Sequence, residues 1–269
     1  MTRLPVVAFA VLVVATVAAF FITQHLKVTT PLIAGFPRPV PAGINPVNGL
    51  TCYDPALGKS VSYRAMTISF YLLNRSDNVD VWVVDPAGRI VATLARDRFM
   101  PGGSHPVRTQ FSWNGRQGNG AVAPDGTYYV KVRLVHQGRT VTISDNAGPI
   151  PFRVITMAPK PAITLVSPRQ IHAANPTPIH IRYTGNHGRL ATVLVYRLEH
   201  RRRPVLVKSF LTKGQTAVWN STIRGHPAAP GRYVIGLEVT DAACNRGFFP
   251  ATVHPLAAAA AAAEVTVLP

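Results

Sequence analysis

One phrase occurs twice in this sequence, and it limits the fold more than any other feature. Around Trp113 the chain reads Phe-Ser-Trp-Asn-Gly-Arg-Gln-Gly-Asn-Gly-Ala-Val-Ala-Pro-Asp-Gly-Thr-Tyr-Tyr-Val-Lys-Val. Around Trp219 it reads Ala-Val-Trp-Asn-Ser-Thr-Ile-Arg-Gly-His-Pro-Ala-Ala-Pro-Gly-Arg-Tyr-Val-Ile-Gly-Leu. In each copy Trp-Asn closes a short strand, a polar loop ends in Pro and Gly, and Tyr starts an alternating strand. Trp113 to Tyr128 spans 15 positions and Trp219 to Tyr233 spans 14, so one gap aligns the copies. A period of about 105 residues is far too long for a solenoid unit and indicates two complete domains of one kind.

A length of 269 residues suits two domains. Hydrophobic residues make up 47% and charged ones only 14%, enough apolar material for two cores, while 24 prolines and 20 glycines favour many turns over long helices. Helical pattern is confined to the N-terminus and the run Ala257 to Ala263. The chain therefore reads as all-β.

Leu4 to Ile22 is a 19-residue stretch without charge, near the ~20 residues that cross a bilayer as a helix. It is longer than the apolar region of a signal peptide, and Val17-Ala18-Ala19 is a poor cleavage site. Residues 1–28 are expected to be an uncleaved transmembrane segment. That places the protein in the cell membrane as a single-pass chain with its later domains extracytoplasmic. Residues 29–47, with Pro31, Pro37, Pro39, Pro41 and Pro46, read as an extended stalk.

Beyond the stalk, short strands recur at roughly 8–12-residue spacing with turn residues between them, the signature of a β-sandwich. The first domain spans 48–156. Its strands fall at Met66 to Phe70, in a partly alternating run to Leu72, and at Val79 to Val84, Ile90 to Leu94, Gln110 to Trp113, Thr127 to Val135, Arg139 to Ser144 and Phe152 to Ile155, with a long loop over Asp97 to Pro106. Pro159 and Pro161 mark a hinge. The second domain spans 157–252, with strands at Ala162 to Val166, Ile179 to Tyr183, Ala191 to Leu198, Val205 to Leu211, Ala217 to Trp219 and Tyr233 to Thr240. Residues 253–269 are an Ala-rich tail, expected to be mobile or at most a strand remnant at Val265 to Leu268. The tail reads as a linker leading into a further domain.

Phe111-x-Trp113-Asn114-Gly115-x4-Gly120-x3-Pro124-Asp125-Gly126-x-Tyr128 resembles the signature of the FlgD-type immunoglobulin-like module, named for the flagellar hook-capping protein. In front of it, Val79 to Val84, the Asp85 to Gly88 turn and Ile90 to Leu94 resemble the strand–turn–strand of that family. In the second domain the resemblance rests on Trp219, Pro230-Gly231, Tyr233 and Val239-Thr240-Asp241, with Ser221 in place of the first glycine. The resemblance implies two tandem immunoglobulin-like β-sandwiches and a non-catalytic exported module. It assigns architectural roles to Trp113, Gly126, Tyr128, Trp219, Gly231 and Tyr233. The physics agrees: each Trp offers a large apolar face, and each Tyr can bury its ring and bond its hydroxyl to a nearby loop.

No motif of a hydrolase, metalloprotease, phosphate-binding loop or dithiol redox site occurs, and the few aspartates sit in turns where local backbone bonds account for them. Neither cofactor nor metal is expected, and the chain is not expected to be an enzyme. Cys52 and Cys244 form a bridge only if the domains fold back on each other; otherwise they are separate thiols. The net charge is +17, which suits polyanions. Arg201-Arg202-Arg203, at the tip of a hairpin in the second domain, are the candidate contact, in a stretch that from Met157 on carries +9, from 13 basic and 4 acidic residues. Nucleic acid is not an expected partner, because no aromatic platform interleaves the charges. The expected function is a membrane-anchored structural spacer or adhesion module. The alternatives are an accessory region of an exported enzyme and a cell-wall polyanion binder.

Overall fold

The computed structural model describes residues 3–29, 32–35, 38–54, 58–199, 203–251 and 258–269. A single α-helix, α1 (Arg3–Thr29), leads into an otherwise β-built chain. Side chains 7–22 of α1 are all exposed. The expectation of a membrane anchor is corrected here: among the described residues no helix is long and apolar enough to cross a membrane.

The first sandwich comprises β1 (Ile33–Ala34), β2 (Gly43–Ile44), β3 (Thr51–Asp54), β4 (Lys59–Ser62), β5 (Met66–Leu72), β6 (Asp77–Val84), β7 (Ile90–Met100), β8 (Thr109–Trp113), β9 (Gly126–Leu134), β10 (Arg139–Thr142), β11 (Ser144–Asp145), β12 (Gly148–Pro149) and β13 (Phe152–Val154). A three-stranded sheet runs β1-β5-β8, and a larger one runs β2-β13-β9-β6-β7 with β10 also on β9. Alternation drives both. Along Met66-Thr67-Ile68-Ser69-Phe70-Tyr71-Leu72 every second side chain is buried, the period-two pattern of a strand with one face on a core. Phe70 and Phe111 from the smaller sheet meet Val81, Val83, Val130, Val132 and Phe152 from the larger. The ladder of β6 and β7 continues to Met100, so part of the loop expected from Asp97 is strand.

The second sandwich comprises β14 (Ala162–Ser167), β15 (Gln170–His172), β16 (Ile179–Thr184), β17 (Ala191–Leu198), β18 (Val205–Thr212), β19 (Thr216–Trp219), β20 (Thr222–Ile223), β21 (His226–Pro227), β22 (Gly231–Thr240), β23 (Arg246–Phe249) and β24 (Glu264–Leu268). Its sheets run β14-β16-β19 and β15-β24-β22-β17-β18, with β23 also on β22. The order of these two sheets repeats that of the two larger sheets of the first sandwich.

Two expectations about the ends of the sandwiches change. The segment read as a stalk supplies the opening strand of the first sandwich. Ile33–Ala34 pairs with β5, Val40 bridges Thr67, and Gly43–Ile44 then crosses to the other sheet and lies parallel to β13. The second sandwich opens the same way, β14 on β16 and then β15 parallel to β24. A cis proline stands at each crossing, Pro41 and Pro168. The tail expected to be mobile is the closing strand of the second sandwich. After a 3-10 turn over Ala258–Ala263, β24 inserts between β22 and β15, burying Ala263, Val265 and Val267. Residues 252–257 lie outside the described residues.

The sandwiches touch through a tight junction. Cys52 on β3 is bridged to Cys244 in the β22–β23 loop, 192 residues away, with Cα atoms 6.5 Å apart. Asn45 Nδ2 donates to Asn245 Oδ1 at 2.7 Å, and Asn245 Nδ2 donates to the Ile155 carbonyl at 3.0 Å. Gly43 faces Ala242 so closely that a Cβ would stand 2.6 Å from its carbonyl oxygen. A Cβ on Gly247 would collide with the carbonyl of Pro159 in the linker.

Candidate functional site

The repeated phrase builds the same device in both sandwiches. Trp113 ends β8, and its indole Nε1 donates to the Arg116 carbonyl at 2.7 Å. Tyr128 enters β9 with its ring 5.4 Å from that indole, tilted at 59°, and its hydroxyl donates to the Pro124 carbonyl at 2.7 Å. In the second sandwich Trp219 Nε1 donates to the Thr222 carbonyl at 3.0 Å. Tyr233 lies 5.7 Å from Trp219, also at 59°, and its hydroxyl donates to the Ala229 carbonyl at 2.7 Å. All four rings are buried. Burial raises the pKa of both phenols. The charges of Asp85 and Asp125 add to the rise at Tyr128, and Arg197 partly offsets it at Tyr233. Both hydroxyls thus stay protonated as donors.

The loop between each Trp and Tyr closes alike. Ala123 N donates to Gly115 O, and Ala228 N donates to Ser221 O. Gly115 has φ +74° and Ser221, in the matching place, φ +56°. The left-handed turn is therefore kept where the glycine is not, with Ser221 buried and its hydroxyl donating to the Thr177 carbonyl. Gly126 and Gly231 begin β9 and β22. Asp125, read as a turn former, has a longer reach: its carboxylate accepts from Thr156 N at 2.9 Å and from the Thr156 hydroxyl at 2.8 Å, pinning the start of the linker.

With the motif aromatics turned inward, the groups open to a partner lie on the sheet faces. On the larger sheet of the first sandwich, Trp82 of β6 stands opposite Lys131 of β9 and Asp80 opposite Arg133. The Arg133 guanidinium covers the Trp82 ring at 5.7 Å and is held by Asp80 at 2.7 Å, the carboxylate buried and the arginine half exposed. Asp80 also accepts from Asp97 N. Tyr129 precedes Lys131 on the same face of β9, and Arg153 stands exposed on β13 beside Thr127. Sequence reasoning passed over this face; the alternation Thr127, Tyr129, Lys131, Arg133 was its visible signal. Of the predicted contact residues, Arg203 is exposed just before β18, while Arg201 and Arg202 lie outside the described residues. Among the described residues no three His, Cys, Asp or Glu side chains are placed to hold a metal.

A model of the FlgD Ig-like domain family matches residues 58–138, from the β3–β4 hairpin through the Trp-to-Tyr loop to β9. The first sandwich belongs to that family. No curated protein matches the chain. Among solved structures, dimeric latent PorU from Porphyromonas gingivalis is similar at a TM-score of 0.29 and 13% identity, over 76% of this chain and 18% of that one. The present chain thus spans under a fifth of that protein. CBD12 from CALX1.2 is similar at a TM-score of 0.26 and 8% identity, over 84% of this chain and 96% of that one. The Trp113–Tyr128 pair is accordingly the aromatic centre of a FlgD Ig-like domain, and the face around Trp82 is the outer surface of its larger sheet.

Proposed function

We propose that this chain is a non-catalytic interaction module in which the second sandwich is a diverged copy of the FlgD Ig-like domain. Its contact surface is the Trp82, Tyr129, Lys131, Arg133 and Arg153 face, and its partner is an extended polyanion. The observation that carries this reading is the placement of cations around a half-buried indole. Lys131 and Arg133 flank Trp82, and the Asp80 carboxylate beside them is buried and committed to Arg133 and to the Asp97 amide. A flat face of cations beside aromatic rings suits a chain of anionic groups, with attraction that falls as salt screens it. The net charge of +17 favours the same partner class.

The test is retention of the folded protein on an immobilised acidic polysaccharide over a salt gradient. Lys131→Glu with Arg153→Glu should weaken binding roughly three- to tenfold, as expected for two exposed charges, and should leave melting unchanged. Equal retention of the variant, or retention indifferent to salt, rejects this face as the contact surface.

A further inference from the structure

The β3–β4 hairpin is a two-stranded sheet of its own, joined to neither sheet of its sandwich. Such hairpins are marginal alone in water, and Tyr53 and most of its neighbours are exposed. Tyr63 N donating to Leu50 O closes its base, and Asn45 N donating to Tyr63 O ties it to the first sandwich. At Cys52 it is tied to the second sandwich by the bridge. The far side of that bridge is braced locally. Asp241 accepts from Ala243 N, Asn245 N and Asn245 Nδ2, and its carbonyl accepts from Cys244 N. Each sandwich buries its own core cluster, and the two clusters share no residue. Neither fold needs the other to cover its apolar interior. Beneath the bridge, the side-chain hydrogen bonds across the junction among the described residues come from Asn45 and Asn245, neutral amides that water can satisfy equally when the surfaces part.

We infer that the Cys52–Cys244 bridge is a redox-released latch, opened by a dithiol reductant so that the second sandwich leaves the first while both stay folded. The reductant's thiolate attacks the Cys52 sulfur, which lies on the half-buried, exposed-hairpin side; Cys244 is 4% exposed. The S–S bond breaks, and Cys244 leaves as a thiolate and takes up a proton. The reductant's second thiolate then displaces Cys52, which is protonated in turn. Two electrons pass to the protein, giving two thiols, and the reductant ends as a cyclic disulfide. Release uncovers the outward face of Gly43 on β2, against which Ala242 now packs. The latch rests on the junction alone and stands whether or not the Trp82 face binds polyanions.

The experiment compares the full chain, oxidised and after dithiothreitol, by small-angle scattering and hydrogen exchange, with Cys52→Ser as a version that cannot close. Reduction and Cys52→Ser should each enlarge the radius of gyration and speed exchange in the peptides covering 43–50 and 240–248. Peptides covering 128–134 and 233–239 should keep their protection, and reoxidation should restore the first state. Unchanged scattering and exchange after reduction overturn the latch, because the amides and glycine contacts then hold the junction unaided. Loss of protection in 128–134 or 233–239 also overturns it, because the bridge then maintains the folds themselves.

Discussion

Trp219 is fully buried and Trp113 nearly so, and each spends its one polar atom on a loop carbonyl three residues ahead. Replacing either with alanine removes a large side chain from a closed core and frees that carbonyl. Trp113→Ala and Trp219→Ala should each cost about 3–5 kcal/mol, read as a lower melting temperature of the affected sandwich. An unchanged transition would put the indole outside the core. Asp77 does comparable work between strands. Its buried carboxylate accepts from His136 N and His136 Nδ1, each at 2.9 Å, and from Gln137 N at 3.2 Å, so it holds the start of β6 to the turn after β9. Burial alone pushes its pKa up, but the bonds from His136 and Gln137 outweigh burial and leave it below 3.8. A depressed carboxylate stabilises the fold above its ordinary value, and that contribution is lost as pH falls through the folded value. Melting temperature should therefore drop on acidification below about 4, and Asp77→Asn should flatten that drop. If wild type and variant decline in parallel, Asp77 is not the acid-sensitive tie. Both aromatic pairs were legible because Trp and Tyr at fixed spacing in two copies leave few other roles. Asp77 was not, because an aspartate at a strand start reads like any turn residue.

At the scale of single elements, the last strand is the sharpest difference between sequence and structure. Glu264-Val265-Thr266-Val267-Leu268 alternates and is rich in β-branched residues, yet seven alanines before it detach it from any strand pattern. The repeat itself held the missing signal. The first sandwich is closed by β13 between β9 and β2, so a second sandwich of that plan needs a closing strand after Phe249, and β24 is the one left to fill it. The opening strands were hidden differently. Proline lacks an amide donor and is confined to edges, so residues 29–47 read as an extended stalk, whereas β1 and β2 are the short edge strands that tolerate it. Deleting residues 258–269 should unfold the second sandwich. Val265 and Val267 are buried on its core, and each contributes about 1.5–3 kcal/mol, a large share of the stability of one domain. Trp219 emission should shift to the red while exchange protection over 128–134 persists. Unaltered melting of both sandwiches would mean that β24 is dispensable.

For the whole molecule, two sandwiches were readable from period and alternation, but their docking was not. Contact between them depends on side chains that are absent at Gly43 and Gly247, on one amide pair, and on cysteines 192 residues apart. None of these has a periodicity. The charge was readable and its arrangement was not: three consecutive arginines drew attention, while Lys131 and Arg133 gather beside Trp82 only once β6 and β9 are in register. One feature of the sheets sets how such units can be strung together. In both sandwiches the opening strand ends parallel to the closing one, β2 with β13 and β15 with β24. Parallel first and last strands put the incoming and outgoing chain at opposite poles of a unit, whereas antiparallel ones would return it to its starting side. Each sandwich therefore has a head and a tail, and copies added in series extend reach by a full unit length without the backbone having to double back.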